Sequence, residues 1–290
     1  MMRSRIFPYA LRLLVSGVMG LAVLAQISTG VAFAESFGVA GHLGGTPNVL
    51  VAHAGYLYLG SGPELAVLDP ATANSDMRVG YIVFHDMVQD IALTPDGPYA
   101  GVAAQSAGFW LVDLRQPTSP RAVTFLETPA LGVAIAGHYA YTAGDTRLQI
   151  VDIAQPEYAS LAGVMEVPGS AQKVKVYGDH AYVAQNVCRD GTCYAGLLVV
   201  DVSDPTTPRE VGMVDPTGGA GIEDIVAVDN TIYIATGSDG LCVINAANPT
   251  LPVETEAINT PGTAWAVAVA NDLVYVADGL GGLFLLRQEH

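Results

Sequence analysis

GLLVVDVSDPTTP, running from Gly196 to Pro208, is the stretch that decides the fold. Leu197 to Val200 is apolar at every position, so a strand whose side chains alternate between faces would be covered on both of them. Asp201 follows at once. A short carboxylate there can accept hydrogen bonds from the N–H groups of the next turn, while Pro205 and Pro208 stop the strand and stiffen the corner. The carboxylate therefore reads first as architecture.

The same pattern recurs along the chain. Its opening residues are Leu65, Phe109, Leu148, Leu197, Leu241 and Leu283, at intervals of 44, 39, 49, 44 and 42 residues. A Tyr/Val-rich strand precedes each, ending at Gly60, Ala103, Ala143, Ala184, Ala235 and Ala277. Another comes before that, led by Val49, Ile91, Val133, Val174, Ile225 and Val267. A fourth strand, such as REVGMV, follows the proline corner. No segment sustains a helical period. Four short antiparallel strands every ~40–45 residues mark one blade of a propeller, and six such units predict an all-β, six-bladed β-propeller across residues 35–290. Asp69, Asp113, Asp152 and Asp201 then sit at equivalent places around a ring, which is not how one catalytic site is built.

The strand-and-corner units LVVDVSDPTTP, LQIVDIAQP, FWLVDLRQPTSP, LAVLDP and LCVINAANPTLP resemble the LVIVD-repeat family of exported or cell-surface propeller proteins of bacteria and archaea. The resemblance covers essentially all of the chain after its leader. It implies the fold and export, and brings no established chemistry. The last unit departs from the pattern, ending in Leu286-Arg287 with no Asp-Pro corner. A third strand without a fourth would leave the last blade incomplete, so Ser36 to about Leu43 is expected to pair with Leu283–Leu286 and close the ring.

Residues 1–34 read as a secretory signal peptide. Arg3, Arg5 and Arg12 give a basic start, Leu13 to Leu24 an apolar run, and Ala32-Phe33-Ala34 a cleavage signature. An uncleaved membrane anchor is the alternative. No Cys follows the run, which argues against lipid attachment. The chain is expected in the periplasm, at the cell surface or secreted, with no membrane span after cleavage. With 12 basic and 28 acidic residues its net charge is −16. Such a surface repels nucleic acid and anionic headgroups. A monomer is expected, and a partner that is a protein, a glycan or a small polar ligand. Cys188 and Cys193 flank a polar, Gly-containing turn and are expected to form a local disulfide, whereas Cys242 inside an apolar strand reads as a buried thiol.

Propeller geometry brings the starts of the innermost strands and the turns between second and third strands to one face. Asn48, Asp90, Lys173, Glu223, Asp224 and Trp265 fall there, as do His85, Asp86, Asp145, Asp239 and Asp278. The six former residues are the candidate lining of a central pocket for a polar ligand or, through oxygen ligands, a divalent cation. The opposing reading is a solvated channel mouth with incidental charges. No G-x-S-x-G elbow, phosphate loop, dinucleotide fingerprint or His-rich metal motif is present. The Asp/Gly turns GSDG and ADGLGG are read as hairpin turns before calcium loops. The resulting expectation is a non-catalytic binding or surface-interaction propeller. A metal-dependent, lactonase-like hydrolase with a cation in the axial pocket is the second possibility, and a structural envelope protein the third.

Overall fold

The computed structural model describes residues 12–13, 47–72, 77–189, 192–216, 221–270 and 273–287. After the two-residue β1 (Arg12–Leu13), the first sheet holds β2 (Pro47–His53), β3 (Tyr56–Ser61), β4 (Glu64–Leu68) and β5 (Arg78–Val83). The second holds β6 (Asp90–Leu93), β7 (Tyr99–Ala103), β8 (Phe109–Asp113) and β9 (Arg121–Leu126). The third holds β10 (Gly132–Ala136), β11 (Tyr139–Gly144), β12 (Arg147–Asp152) and β13 (Ser160–Glu166). The fourth holds β14 (Ser170–Tyr177), β15 (His180–Arg189), β16 (Thr192–Asp201) and β17 (Arg209–Val214). The fifth holds β18 (Asp224–Val228), β19 (Thr231–Ala235), β20 (Leu241–Asn245) and β21 (Val253–Ile258). The sixth shows β22 (Ala266–Ala270), β23 (Leu273–Ala277) and β24 (Leu283–Arg287). Every pairing is antiparallel and sequential, and β2, β6, β10, β14, β18 and β22 stand one after another around the axis. This is a six-bladed β-propeller. Among the described residues no helix is long and apolar enough to cross a membrane.

The core lies between blades. Val49, Val51, Tyr58, Leu65 and Val67 of blade one face Ile91, Ala100, Val102 and Val112 of blade two, and four further clusters repeat this arrangement up to blades five and six. Both faces of the middle blades are therefore buried, as the unbroken apolar runs require. Cys242 lies in the cluster between blades four and five as a free buried thiol, pushed up to about 12 by burial and by Glu254 beside it. Such a thiol carries no useful thiolate.

The corners are built as their residues dictate. The Oδ1 atoms of Asp69, Asp113, Asp152, Asp201 and Asn245 each accept the N–H two residues on, at 2.8–3.0 Å. Just before these residues the ladder shifts register in five blades, which bends the strand into its corner. Three outer-strand glycines sit beside these shifts. A Cβ on Gly80, Gly163 or Gly212 would overlap the carbonyl oxygen of Pro117, Pro205 or Pro249 in the following blade. These glycines are sockets for the neighbour's proline corner. In blade two the equivalent Thr124 instead donates its hydroxyl to the Pro156 carbonyl at 2.8 Å. In blade five it is Glu256.

The first and last blades differ from the rest. β1 pairs with β2, Arg12 opposite Val51 and Leu13 opposite Leu50, and lies beside β22. Leu283 is 45% exposed, whereas its counterparts Leu65, Phe109, Leu148 and Leu197 are wholly buried. The residues expected to complete the last blade, Ser36 to Leu43, lie outside the described residues.

Candidate functional site

The ladders align the beginnings of the inner strands. Val49, Asp90, Gly132, Lys173, Asp224 and Ala266 each face a small residue of the second strand, from Gly60 to Ala277. At this level the inner strands approach so closely that a Cβ on Gly132 would come within 2.7 Å of the Lys173 Cα atom. The chemistry of the position follows from that proximity. Asp90 is fully buried, and its carboxylate accepts the N–H of Ile91 at 2.8 Å and, across the blade boundary, the N–H of Val133 at 2.9 Å. Asp224 repeats the bond to Val267 at 3.2 Å. Asn48 donates its side-chain amide to the Val88 carbonyl of blade two at 3.1 Å. The sequence places these three at an open channel mouth. The structure turns them between blades instead, because alternate side chains of an inner strand point at a neighbouring blade rather than down the axis.

Lys173, Glu223 and Trp265 remain half-buried at the same mouth. Glu223 directly precedes β18. Burial pushes its carboxyl above the usual carboxylate range, and the ammonium of Lys173 on the preceding blade pulls it back. Gly221 and Gly237 lie next to it, since a Cβ on either would stand 3.8 or 3.7 Å from Glu223 Oε1. Gly237 in turn bridges to Ala264, the residue before Trp265. The Trp265 indole rests on the sixth-blade hairpin, its Nε1 3.1 Å from the position of a Cβ on Gly279, whose φ is +55°. Lys173 and Glu223 are thus brought into electrostatic contact, with Trp265 one blade further on. The set offers an ammonium, a carboxyl held toward its neutral form and an aromatic body, which suits hydrogen bonding and stacking on a polar ligand.

The surrounding turns satisfy themselves. Asp86 accepts the Ser106 hydroxyl at 2.5 Å and the Met87 N–H at 2.7 Å, which lowers its pKa. Asp278 is fully buried, taking the Thr260 hydroxyl on one oxygen and the Gly262 N–H on the other. The ADGLGG segment is accordingly a carboxylate-tied hairpin. Arg147 beside Glu166 holds that carboxyl below its usual range. Among the described residues no three His, Cys, Asp or Glu side chains gather where they could hold a metal ion. His138, in the turn between first and second strands, lies against Tyr139, and His53, the last residue of β2, occupies the space over Gly97 in blade two. In the insertion of blade four, Cys188 stands directly opposite Cys193 in the ladder.

Five copies of the LVIVD repeat match the chain, at residues 87–128, 129–166, 168–216, 220–260 and 261–286. The chain belongs to the LVIVD-repeat family. Each matched LVIVD repeat spans one blade, from the second to the sixth, while blade one folds alike outside the matched residues. Among solved structures the chain is similar to one in the crystal structure of a mitotic checkpoint complex, with TM-score 0.65, 12% identity and coverage of 81% of this chain and 72% of that one. It is also similar to the β-propeller domain of Cps50 (Swd1) from Myceliophteria thermophila, with TM-score 0.64, 13% identity and 81% and 80% coverage. A functionally unknown protein from Desulfotomaculum acetoxidans gives TM-score 0.63 and 14% identity, over 78% of this chain and 76% of that one. At these identities the likeness is one of fold. No curated protein matches the sequence.

Proposed function

We propose that this LVIVD-repeat protein is an exported, non-catalytic binding propeller whose ligand sits at the axial mouth around Lys173, Glu223 and Trp265. One observation carries the reading. Asn48, Asp90, Asp224 and Gly132 serve the contact between blades, whereas Lys173, Glu223 and Trp265 differ from their counterparts in the other blades and remain half-exposed. Side chains released from packing and clustered at one end of a ring are where a propeller can recognise something. Export is supported by the basic, apolar and A-x-A parts of residues 1–34. The disulfide proposed between Cys188 and Cys193, which stand opposite each other in the ladder, suits that compartment. The test is a thermal-shift screen of the exported chain against glycans, amino acids, organic acids and metal ions, since a ligand that binds only the folded state raises its melting temperature. Expected is at least one ligand whose shift disappears in Trp265→Ala. Shifts untouched by Trp265→Ala, or no shift across the screen, would overturn the axial site.

A further inference from the structure

The chain contains two lysines in 290 residues, Lys173 and Lys175, and both lie on β14, the innermost strand of blade four. Being two residues apart, they share one face of the strand. That face is turned to blade five, because the intervening Val174 belongs to the core between blades three and four and the ladder partner of Lys175, Tyr182, belongs to the core between four and five. The ladders identify the counterparts of Lys175 as Val51, Ala92, Ala134, Val226 and Ala268. All are small and apolar. A half-buried lysine has replaced them in one blade out of six.

Electrostatics makes this placement unusual. Arg78, Arg115, Arg121, Arg147 and Arg209 are paired with Glu64, Asp113, Glu166 and Asp201 on the third and fourth strands, away from the axis. Lys173 acts on Glu223. Lys175 has neither an ion pair nor a side-chain hydrogen bond among the described residues, in a chain with 28 carboxylates. Taking an ammonium partly out of water costs free energy that an anionic partner normally offsets. Among the described residues no carboxylate forms that ion pair with Lys175.

We infer that Lys175, with Lys173 above it, forms an anion-binding site on the axial wall between blades four and five, and that the ligand of this propeller carries a carboxylate or phosphate. The inference rests on the axial binding reading and names its ligand class. Two ammonium groups two residues apart on one strand face can both donate to one oxyanion, and the net negative surface excludes large polyanions, so the ligand is small.

The experiment is isothermal titration of the chain with orthophosphate and, separately, succinate, at constant ionic strength set with sodium chloride. Lys175→Ala restores the residue found in three sibling blades and is expected to fold with an unchanged or higher melting temperature. Wild type is expected to show saturable binding of one probe, phosphate or dicarboxylate, which identifies the oxyanion. Lys175→Ala is expected to weaken it about tenfold or more, the loss of one charge-assisted hydrogen bond. Equal binding by wild type and Lys175→Ala, or no saturable binding of either probe, overturns the inference. A neutral ligand that binds wild type and Lys175→Ala alike but is lost in Trp265→Ala overturns the anion site while leaving the axial reading standing.

Discussion

Replacing Asp90 by alanine should destabilise the whole propeller rather than empty a pocket. The carboxylate is fully buried and accepts two backbone N–H groups, from Ile91 at 2.8 Å and from Val133 in the next blade at 2.9 Å. Alanine leaves both donors buried without their acceptor. Each orphaned donor costs roughly 1–3 kcal/mol, so the pair amounts to about 4 kcal/mol. For a domain of this size that is a fall in melting temperature of about 8–16 °C. Asp90→Asn keeps one carbonyl oxygen and turns an amide toward the second donor, so it should lose about half as much. Scanning calorimetry of wild type, Asp90→Ala and Asp90→Asn reads both effects. A melting temperature unmoved by Asp90→Ala, or a larger drop for Asp90→Asn than for Asp90→Ala, would refute the inter-blade bond and return the residue to the channel.

Gly163→Val should cost about 1–3 kcal/mol by denaturant titration, because its side chain would occupy the place of the Pro205 carbonyl. Glu223 has a raised folded pKa, so its contribution to stability is present at low pH and is lost as pH rises from about 4.3 through the folded value. Glu223→Gln should therefore raise the melting temperature at pH 7 and flatten its pH dependence above that point. Asp113 and Asp201 have the opposite sign, held low first by Arg115 and by Ser203 respectively, and their contribution is lost only on acidification below about pH 4. Non-reducing peptide mapping of exported protein should recover Cys188 and Cys193 as one cross-linked peptide; two free thiols would exclude the bond. Deleting residues 36–43 should lower stability cooperatively by several kcal/mol if those residues cover the exposed Leu283 and Leu285, and an unchanged transition would show that the ring closes without them.

The blades were legible because their signal is local. Alternation, turn residues and the Asp-Pro corner lie within a few positions of one another, and LVVD followed by a proline run announces a strand, a bend and a stop in order. Asn48, Asp90 and Asp224 were not legible in the same way, since their partners Val88, Val133 and Val267 lie 40 to 43 residues on and belong to another blade. A signal was nonetheless present. Asp90 and Asp224 recur at equivalent positions of different units, and the reasoning that makes Asp69 and Asp201 architectural applies equally to them. The glycine sockets had a comparable trace, a Gly in one fourth strand matched by P-x-x-P in the next unit. Neither half means anything alone. Lys175 stood out only once the ladders set it beside Val51, Ala92, Ala134, Val226 and Ala268, because the register that aligns inner strands is a property of pairing rather than of spacing.

The sockets also give the ring a direction. Gly80, Gly163 and Gly212 belong to the earlier blade of each pair and the proline corners to the later one. As a chain emerges from its N-terminus, whether from a ribosome or through a membrane pore, each receiving surface is complete before the segment that fills it appears. A blade that has formed can template its successor, and the successor's corner can anchor before its own last strand has arrived. Stability would then accumulate in the order of synthesis.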